Sequence, residues 1–268
     1  MAVDPAARIH SAALVEPGAV IGPGAEVGAF AVIGPEVTLG ARVQVKAHAI
    51  VTGWTVIGEE SIVFPFANVG DIPQDLKYRG EHTRLIVGAR ARIREGVTLN
   101  IGTEGGGGLT RIGDDCLFMT GAHVGHDCRV GNRVIMANNT ALGGHCVIGD
   151  DVVIGGLAGV HQFVRVGDGA MIGAMTKITR DVIPYALVDE ARGRLSGINV
   201  IGLRRRDVPR HEITALKAAF DVLAGEDGTF AERARHVAEA HDGHLAQAVA
   251  AFILEGSERS FLTPPRVG

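Results

Sequence analysis

An apolar residue, almost always aliphatic, recurs at every sixth position over most of this 268-residue chain. The series runs from Ile9 to Val69, resumes from Val87 to Leu99, and runs again from Ile112 to Ile178. The residue four places after each aliphatic position is almost always small, as at Ala19 and Ala25. Neither the 3.6-residue period of a helix nor simple two-residue alternation produces this pattern. A six-residue unit with two inward positions predicts a short flat strand followed by a turn.

Three such units close one triangular coil, and stacked coils pair through backbone hydrogen bonds at a spacing of about 4.8 Å. The repeats therefore predict a parallel β-helix, a solenoid in which each coil contacts only its neighbours. Between Ile9 and Val182 there is room for nine or ten coils, a column of about 45 Å. A Gly often follows the aliphatic residue, as in Ile33–Gly34, and we expect it to supply the positive φ of a sharp corner.

Composition and charge narrow the class of protein. Only 4% of the residues are aromatic but 46% are hydrophobic, so the core must be aliphatic, and the apolar content is too high for a disordered chain. The net charge is -4, without a basic block, so we expect no nucleic-acid partner. No apolar stretch approaches the roughly 20 residues of a membrane span, and the N-terminus lacks the apolar core of a signal peptide. We therefore expect a cytoplasmic protein without a membrane span.

The three cysteines, Cys116, Cys128 and Cys146, all occupy the small inward position of the repeat. They do not form a CxxC pair, so their spacing does not favour a metal site. Buried Cys behaves as a small hydrophobe. We therefore expect all three to fill the core of the coil.

Two segments interrupt the repeats, at about residues 71–86 and 102–111. We expect both to be loops expelled from the coil, where binding residues tend to gather. Thr103 is assigned to a small inward position at the edge of the second interruption. The pattern predicts a β-helix over residues 1–206 and a C-terminal helical domain over residues 207–268.

Helix signals divide the C-terminal region into three helices. Asp207 is expected to cap the first helix, which Gly225 ends. Thr229 and Glu232 predict a capping box for the second helix. The third carries an apolar face and stops before Gly256. The helices can cover the open last coil, which would otherwise expose strand edges.

Four of the 11 histidines share the phase of the repeat: His123, His126, His145 and His161. Histidine suits general-base catalysis because its reference pKa of about 6.5 lies near neutrality. Asp127 directly follows His126, and an adjacent carboxylate can orient the ring. The bare backbone of Gly144, on the next coil, offers an N–H group that can stabilise an oxyanion. The same histidines also fit a zinc site, and their spacing alone does not separate these alternatives.

Basic residues outside this cluster are candidates for binding anions. Lys77 lies in the first loop, where it can bind phosphate or carboxylate. The run Arg204–Arg206 can bind phosphates or an acidic protein. A solvated surface charge remains the alternative at each of these positions.

Seven segments together resemble a known family: QDLKY at 74–78, RIREGVT at 92–98, AHVGHDC at 122–128, ANN at 137–139, GGH at 143–145, VHQF at 160–163 and NVIGLRRR at 199–206. In this order and spacing they are similar to the UDP-N-acetylglucosamine O-acyltransferases, which begin lipid A synthesis. The resemblance spans essentially the whole chain. It implies a left-handed β-helix and a homotrimer with active sites between subunits.

The resemblance also implies a reaction, in which a 3-hydroxyacyl group moves from acyl carrier protein to the 3-hydroxyl of UDP-N-acetylglucosamine. It implies no metal and no organic cofactor, since phosphopantetheine arrives on the carrier protein. By resemblance, His126 is the general base, Asp127 its orienting partner, and Gly144 N–H the oxyanion donor. The remaining residues implied to contact substrate are Gln74, Asp75, Lys77, His123, His145, His161, Gln162, Asn199, Arg205 and Arg206.

Several residues depart from the family pattern, and one lies at the position that sets acyl-chain length in the family. Ile101 and Ile201 stand where Arg and Glu are frequent, and Asp189–Ala191 replaces a Gln-Gly-Asn-like run. These departures leave a 3-amino UDP-sugar as an alternative acceptor. Ala174 falls at the position of the family's acyl-length ruler, where we expect it to favour an intermediate to long chain.

Three other functions remain open from the sequence. The later N-acyltransferase of the same pathway usually carries an extra N-terminal domain, and because the repeat here starts at Ile9 we expect no such domain. A zinc-dependent carbonic anhydrase on the same scaffold predicts bound zinc and CO2 hydration. A non-catalytic solenoid predicts that substitution of His126 changes no activity.

Overall fold

The computed structural model describes residues 2–264. Within this part of the chain, the repeats form a prism of three sheets, which we name A, B and C, with nine, eleven and nine strands, all parallel except the last strand of sheet B. Sheet A contains β1 (Ala2–Val3), β4 (Val20–Ile21), β7 (Thr38–Leu39), β10 (Trp54–Ile57), β13 (Arg84–Val87), β16 (Leu109–Ile112), β19 (Arg129–Val130), β22 (Val147–Ile148) and β25 (Arg165–Val166). Sheet B contains β2 (Arg8–Ile9), β5 (Glu26–Val27), β8 (Gln44–Val45), β11 (Ile62–Val63), β14 (Arg92–Ile93), β17 (Leu117–Phe118), β20 (Ile135–Met136), β23 (Val153–Ile154), β26 (Met171–Ile172), β28 (Ala186–Asp189) and β29 (Arg194–Ile198). Sheet C contains β3 (Leu14–Val15), β6 (Val32–Ile33), β9 (Ile50–Val51), β12 (Asn68–Asp71), β15 (Thr98–Asn100), β18 (His123–Val124), β21 (Ala141–Leu142), β24 (Gly159–Val160) and β27 (Lys177–Ile178).

The sixfold aliphatic series forms the core of the prism, as predicted. From Ile21 to Ile178 every member of the series is buried. Ile9 is 37% exposed because it lies in the first coil, which has no coil before it. The three cysteines are free and fully buried, which confirms their interpretation as core residues. Burial raises the pKa of the Cys116 thiol to about 11, so this thiol stays protonated at neutral pH.

The glycines of the repeat serve a purpose other than the predicted one. A Cβ atom on Gly28 would lie 2.7 Å from the backbone nitrogen of Ala47 on the next coil, so Gly is required here for close approach. The positive φ occurs two residues later, at Phe30 (58°). The prediction that Gly supplies the positive φ was therefore wrong at this position, since the coil places non-Gly residues there.

Both interruptions leave the prism at the same corner, between sheets C and A. Trp54 of β10 pairs directly with Arg84 of β13, so the intervening extra residues are expelled as a loop over 72–83. Thr98 of β15 pairs with His123 of β18, and the second loop occupies 101–108. This loop contains a single 3₁₀ turn, Glu104–Gly106. We call this edge of the prism the C–A corner.

The C-terminal region begins earlier than the helix signals predict. Strands β28 and β29 form an antiparallel hairpin, and four helices follow: α1 (Val200–Arg205), α2 (Arg210–Ala224), α3 (Phe230–Ala240) and α4 (His244–Leu254). The hairpin and α1 were not predicted. None of the helices within residues 2–264 is long and apolar enough to cross a membrane.

The predicted helix caps were partly correct. Asp207 lies in the turn after α1 with φ 55°, and Pro209 is the N-cap residue of α2, so the assignment of Asp207 as the cap was wrong. Gly225 ends α2, as predicted. The capping box of Thr229 and Glu232 is present at the start of α3.

Candidate active site

Successive coils bring chemically active residues into line at the C–A corner. His123 of β18 pairs with Ala141 of β21, so residues that follow these strands occupy equivalent positions one coil apart. His126 is therefore equivalent to Gly144, and Asp127 is equivalent to His145. Asp127 (φ 60°) and His145 (φ 63°) both have the left-handed corner conformation.

Asp127 has a buried carboxylate that the second loop holds in place. Its side chain is 0% exposed. Oδ1 accepts a hydrogen bond from the Thr103 backbone N–H at 2.9 Å, and Oδ2 accepts one from the Thr103 hydroxyl at 2.6 Å. The Asp127 N–H donates to Thr110 Oγ1 at 2.8 Å. Thr103 thus lies in the loop, and its predicted inward core position was wrong because the chain leaves the coil before it.

The carboxylate of Asp127 fixes the orientation of the His126 ring. Nδ1 of His126 lies 2.8 Å from Asp127 Oδ2, and the His126 side chain is 14% exposed. A carboxylate that already accepts from Thr103 accepts from His126 as well, so we assign the imidazole proton to Nδ1. Nε2 is then left with its lone pair free to take a proton.

Gly144 allows this ring to lie against the next coil. A Cβ atom on Gly144 would lie 2.6 Å from Cε1 and Nε2 of His126. Within residues 2–264, the Gly144 N–H donates no hydrogen bond to a backbone acceptor. The backbone beside the imidazole is therefore bare and carries a free donor.

Two further histidines flank the pair. His145 stacks on Phe163 with ring centroids 4.4 Å apart, and its ring packs edge-on against His126 at 4.9 Å. Nδ1 of His123 lies 2.7 Å from Thr98 Oγ1. Burial lowers the pKa of both His123 and His145 below the usual value. Both imidazoles are therefore neutral at neutral pH.

The first loop closes one side of a pocket of about 330 Å³ in front of His145, lined also by Asp75, Lys77, Thr103 and Phe163. The Lys77 N–H donates to Asp75 Oδ1 at 2.9 Å, and this hydrogen bond lowers the pKa of the Asp75 carboxyl. The pocket thus offers an anionic and a cationic side chain next to the histidines. Gln74 is exposed on the same loop.

His161 and Gln162 lie one coil beyond Gly143 and Gly144, and both are exposed at the C–A corner. Nδ1 of His161 lies 3.1 Å from an Nη2 nitrogen of Arg259. The sequence analysis missed Arg259, because no motif marks it and it lies 98 positions from His161.

A second group of predicted site residues lies elsewhere on the protomer. Asn199 and Arg205 line a pocket of about 420 Å³ with residues of sheet B. Asn199 also caps α1, since its Oδ1 accepts from the Gly202 N–H at 2.9 Å. Arg206 pairs with Asp151 at 3.2 Å, at the corner between sheets A and B. One chain therefore does not bring these three residues next to His126.

The ruler position and the departures from the family pattern also have defined places. Ala174 is exposed at the corner between sheets B and C. Ile101 is only 3% exposed at the base of the second loop, where an apolar side chain is well accommodated. Ile201 is 66% exposed beside the sheet B pocket. Asp189 accepts a hydrogen bond from Ser196 within the hairpin.

The cluster at the C–A corner also has the donors of a metal site. Ligand atoms of His126, Asp127 and His145 all lie within 4.8 Å of one another. Two imidazoles and a carboxylate are ligands that zinc accepts. The zinc alternative thus concerns the same three side chains as the general-base hypothesis.

Known proteins share both the sequence and the architecture. Family models described as "Bacterial transferase hexapeptide (six repeats)" match residues 109–144 and 145–180, and the model "Udp N-acetylglucosamine O-acyltransferase; Domain 2" matches residues 181–262. The acyl-[acyl-carrier-protein]–UDP-N-acetylglucosamine O-acyltransferase of Paracoccus denitrificans is 59% identical over 76% of this chain and 77% of its own length. The chain belongs to this family.

Two further members illustrate the range of the family. The Caulobacter vibrioides protein of the same name is 48% identical over 82% of this chain and 84% of its own. The solved UDP-N-acetylglucosamine acyltransferase from Campylobacter jejuni superposes with a TM-score of 0.90, at 37% identity, over 97% of this chain and 100% of its own. The fold is the left-handed parallel β-helix of these structures, which confirms the predicted fold class and handedness.

Gly144→Ala tests the contact between the imidazole and the next coil. The new methyl group must displace the His126 ring, so we expect the rate of acyl transfer to fall by about 100-fold, the lower end of what general-base catalysis contributes. Initial rates and melting temperatures measured together check this. Gly159→Ala is the matched control, because a Cβ atom there meets nothing within 4 Å. Equal rates in the two variants would contradict the assignment.

The lowered pKa values of His123 and His145 predict a pH-dependent stability. Below about pH 6.5 these two histidines take up protons more readily in the unfolded chain than in the folded chain. Their contribution to the free energy of unfolding is therefore fully present above this pH and is lost as the pH falls. We expect His123→Gln to flatten the fall in melting temperature between about pH 7 and pH 5. His211→Gln is the control, since the His211 side chain is 80% exposed. A slope unchanged by His123→Gln refutes this account.

Proposed function

We propose that this protein transfers a 3-hydroxyacyl group from acyl carrier protein to the 3-hydroxyl of UDP-N-acetylglucosamine, the first step of lipid A synthesis, in the cytoplasm. Membership of the family supports the substrates. The observation that carries the mechanism is the His126–Asp127 pair, in which a buried, loop-held carboxylate leaves Nε2 of His126 free. Thr103, which holds Asp127, and His145, which packs against His126, both line a pocket that also carries the charged side chains of Asp75 and Lys77.

In the proposed reaction, Nε2 of His126 removes the proton of the sugar 3-hydroxyl as the oxygen attacks the thioester carbon. The Asp127 carboxylate stabilises the imidazolium that forms. The Gly144 N–H donates to the oxyanion of the tetrahedral intermediate. The carbon–sulfur bond then breaks, and the imidazolium returns its proton to the leaving sulfur. The products are the O-acyl sugar nucleotide and the free thiol of the carrier protein.

The separate location of Asn199, Arg205 and Ala174 supports a site built between copies of the chain. His126 lies at the C–A corner, whereas Asn199 and Arg205 line the pocket beside sheet B, and Ala174 lies at the corner between sheets B and C. In a trimer about a threefold axis, the C–A corner of one copy can face sheet B of the next. Sugar nucleotide and acyl chain then bind in the groove between two subunits, with Ala174 limiting the length of the acyl chain.

The acyl carrier protein is the proposed macromolecular partner, and its phosphopantetheine supplies the thioester without a resident cofactor. Arg204 of α1 and both Arg210 and Lys217 of α2 are exposed. This basic surface is complementary to an acidic carrier protein. A 3-amino UDP-sugar remains the alternative acceptor for the same catalytic residues, His126, Asp127 and Gly144.

The central experiment incubates the protein with UDP-N-acetylglucosamine or its 3-amino analogue and with 3-hydroxyacyl carrier proteins of several chain lengths. We expect an O-acyl nucleotide, identified by mass, with intermediate to long chains preferred. His126→Ala should lower the rate by about 10²–10⁴-fold, because it removes the general base. The activity should survive a chelator that strips zinc.

Each contrary outcome has a meaning. Equal rates in wild type and His126→Ala overturn the mechanism, and product formed only from the amino sugar reassigns the acceptor. Activity abolished by chelation and restored by zinc, or hydration of CO2, favours the metal alternative at His126, Asp127 and His145.

Mixed oligomers test whether two copies share one site. His126→Ala and Arg205→Ala chains, each impaired alone, should regain part of the activity when they are unfolded and reassembled together. A shared site would pair His126 of one copy with Arg205 of the other. A His126→Ala chain reassembled with a tagged copy of itself is the control. Absence of any recovery in verified mixed oligomers contradicts the shared site.

A further inference from the structure

The C-terminal segment after α4 returns to the C–A corner and places an arginine on His161. Nη2 of Arg259 lies 3.1 Å from Nδ1 of His161. The same Nδ1 lies 3.2 Å from the carbonyl oxygen of Gln162. These two neighbours make opposite demands on the imidazole, because a guanidinium only donates and a carbonyl only accepts.

The residues that follow Arg259 pair with the last coil. The Asp181 N–H donates to the Ser260 carbonyl at 2.9 Å, and the Leu262 N–H donates to the Asp181 carbonyl at 2.8 Å. Asp181 is itself fully buried, and its carboxylate accepts from Arg165 Nε at 3.0 Å. The position of Arg259 is therefore set by backbone pairing with the last coil.

Arg165 joins this anchor to α4. Its Nη2 donates to the Phe252 carbonyl at 3.0 Å, and its Nη1 pairs with Glu255 at 2.7 Å. The Arg165 guanidinium also stacks over the Phe252 ring at 4.3 Å. Residues on either side of Arg259 are thus held to the prism, which limits the freedom of the Arg259 side chain.

The geometry points to Arg259 as a positioning residue that sets the tautomer of His161. With the guanidinium present, Nδ1 of His161 accepts and the ring proton resides on Nε2. Without it, Nδ1 carries the proton and donates to the Gln162 carbonyl, which leaves Nε2 as an acceptor. Arg259 therefore decides whether His161 offers its substrate a donor or a lone pair. This inference rests on the proposed function, because His161 must contact substrate.

The position of His161 at the C–A corner means that its tautomer can affect substrate binding. His161 follows β24 and lies one coil, about 5 Å, beyond Gly143. The glycines at positions 143 and 144 leave the wall of the corner bare between His126 and His161. An oxygen of the sugar nucleotide or of the acyl group that lies along this wall would accept from Nε2–H. A lone pair at the same place would repel that oxygen.

Arg259→Met removes the donors but keeps the length of the side chain. Loss of one well-placed hydrogen bond is expected to lower kcat/KM by about 10-fold, mainly through a higher KM for one of the two substrates. Arg259→Lys keeps a donor and should recover part of the loss. The melting temperature and the oligomeric state should match wild type. Arg235→Met, at an exposed arginine of α3, is the control and should behave as wild type.

A double-mutant cycle separates positioning from direct binding. In a His161→Ala background, Arg259→Met should change kcat/KM by less than about 2-fold, because its effect acts through the imidazole. A full, additive loss in that background shows that Arg259 acts independently of His161 and overturns the inference. Unchanged kinetics of Arg259→Met overturn it as well. Failure of the wild-type chain to form any acyl product would instead contradict the proposed function.

Discussion

Parallel pairing between successive coils is the constraint on which the rest of this structure depends. Apart from the final hairpin, each strand pairs with a strand one coil away, so the register of one pair largely sets the register of the next along the column. The backbone hydrogen bonds between coils satisfy the polar groups that burial of the aliphatic interior would otherwise leave unpaired. Side chains at one corner are thereby held at fixed spacing. A reactive group at such a corner needs little further ordering when substrate binds.

The second requirement is electrostatic and concerns a single carboxylate. Asp127 is removed from water, and burial of an unpaired carboxylate is costly. Hydrogen bonds donated by Thr103 and by His126 offset this cost. The bond from His126 also fixes the orientation of its imidazole ring. The same interactions that keep a charged group tolerable inside the protein thus leave one imidazole nitrogen ready to accept a proton. Stability and the proposed chemistry depend on the same few atoms.

Much of the fold was predictable from the sequence because the six-residue period marks the side chains that face the interior of the prism. The aliphatic residues and the three cysteines lie where that period places them. Local signals also predicted the caps at Gly225 and Thr229. The His126–Asp127 pair was accessible because its members are adjacent in the chain.

The remaining features depend on contacts that a period does not encode. Thr103 lies where the repeat fails, so its role on Asp127 required the path of the loop. Arg259 reaches His161 only because the helices fold back on the last coil. The hairpin of β28 and β29 replaces parallel by antiparallel pairing, for which the hexapeptide pattern offers no signal.

The direct pairing of Trp54 with Arg84 across an expelled loop has an evolutionary consequence. Since β10 and β13 pair beneath the loop over four consecutive residues, residues can be added to or deleted from the loop at small cost to the column. Variation in the expelled loops is thereby uncoupled from variation in the prism. Chains with this architecture can therefore differ in the lengths and tips of these loops while the column beneath stays the same.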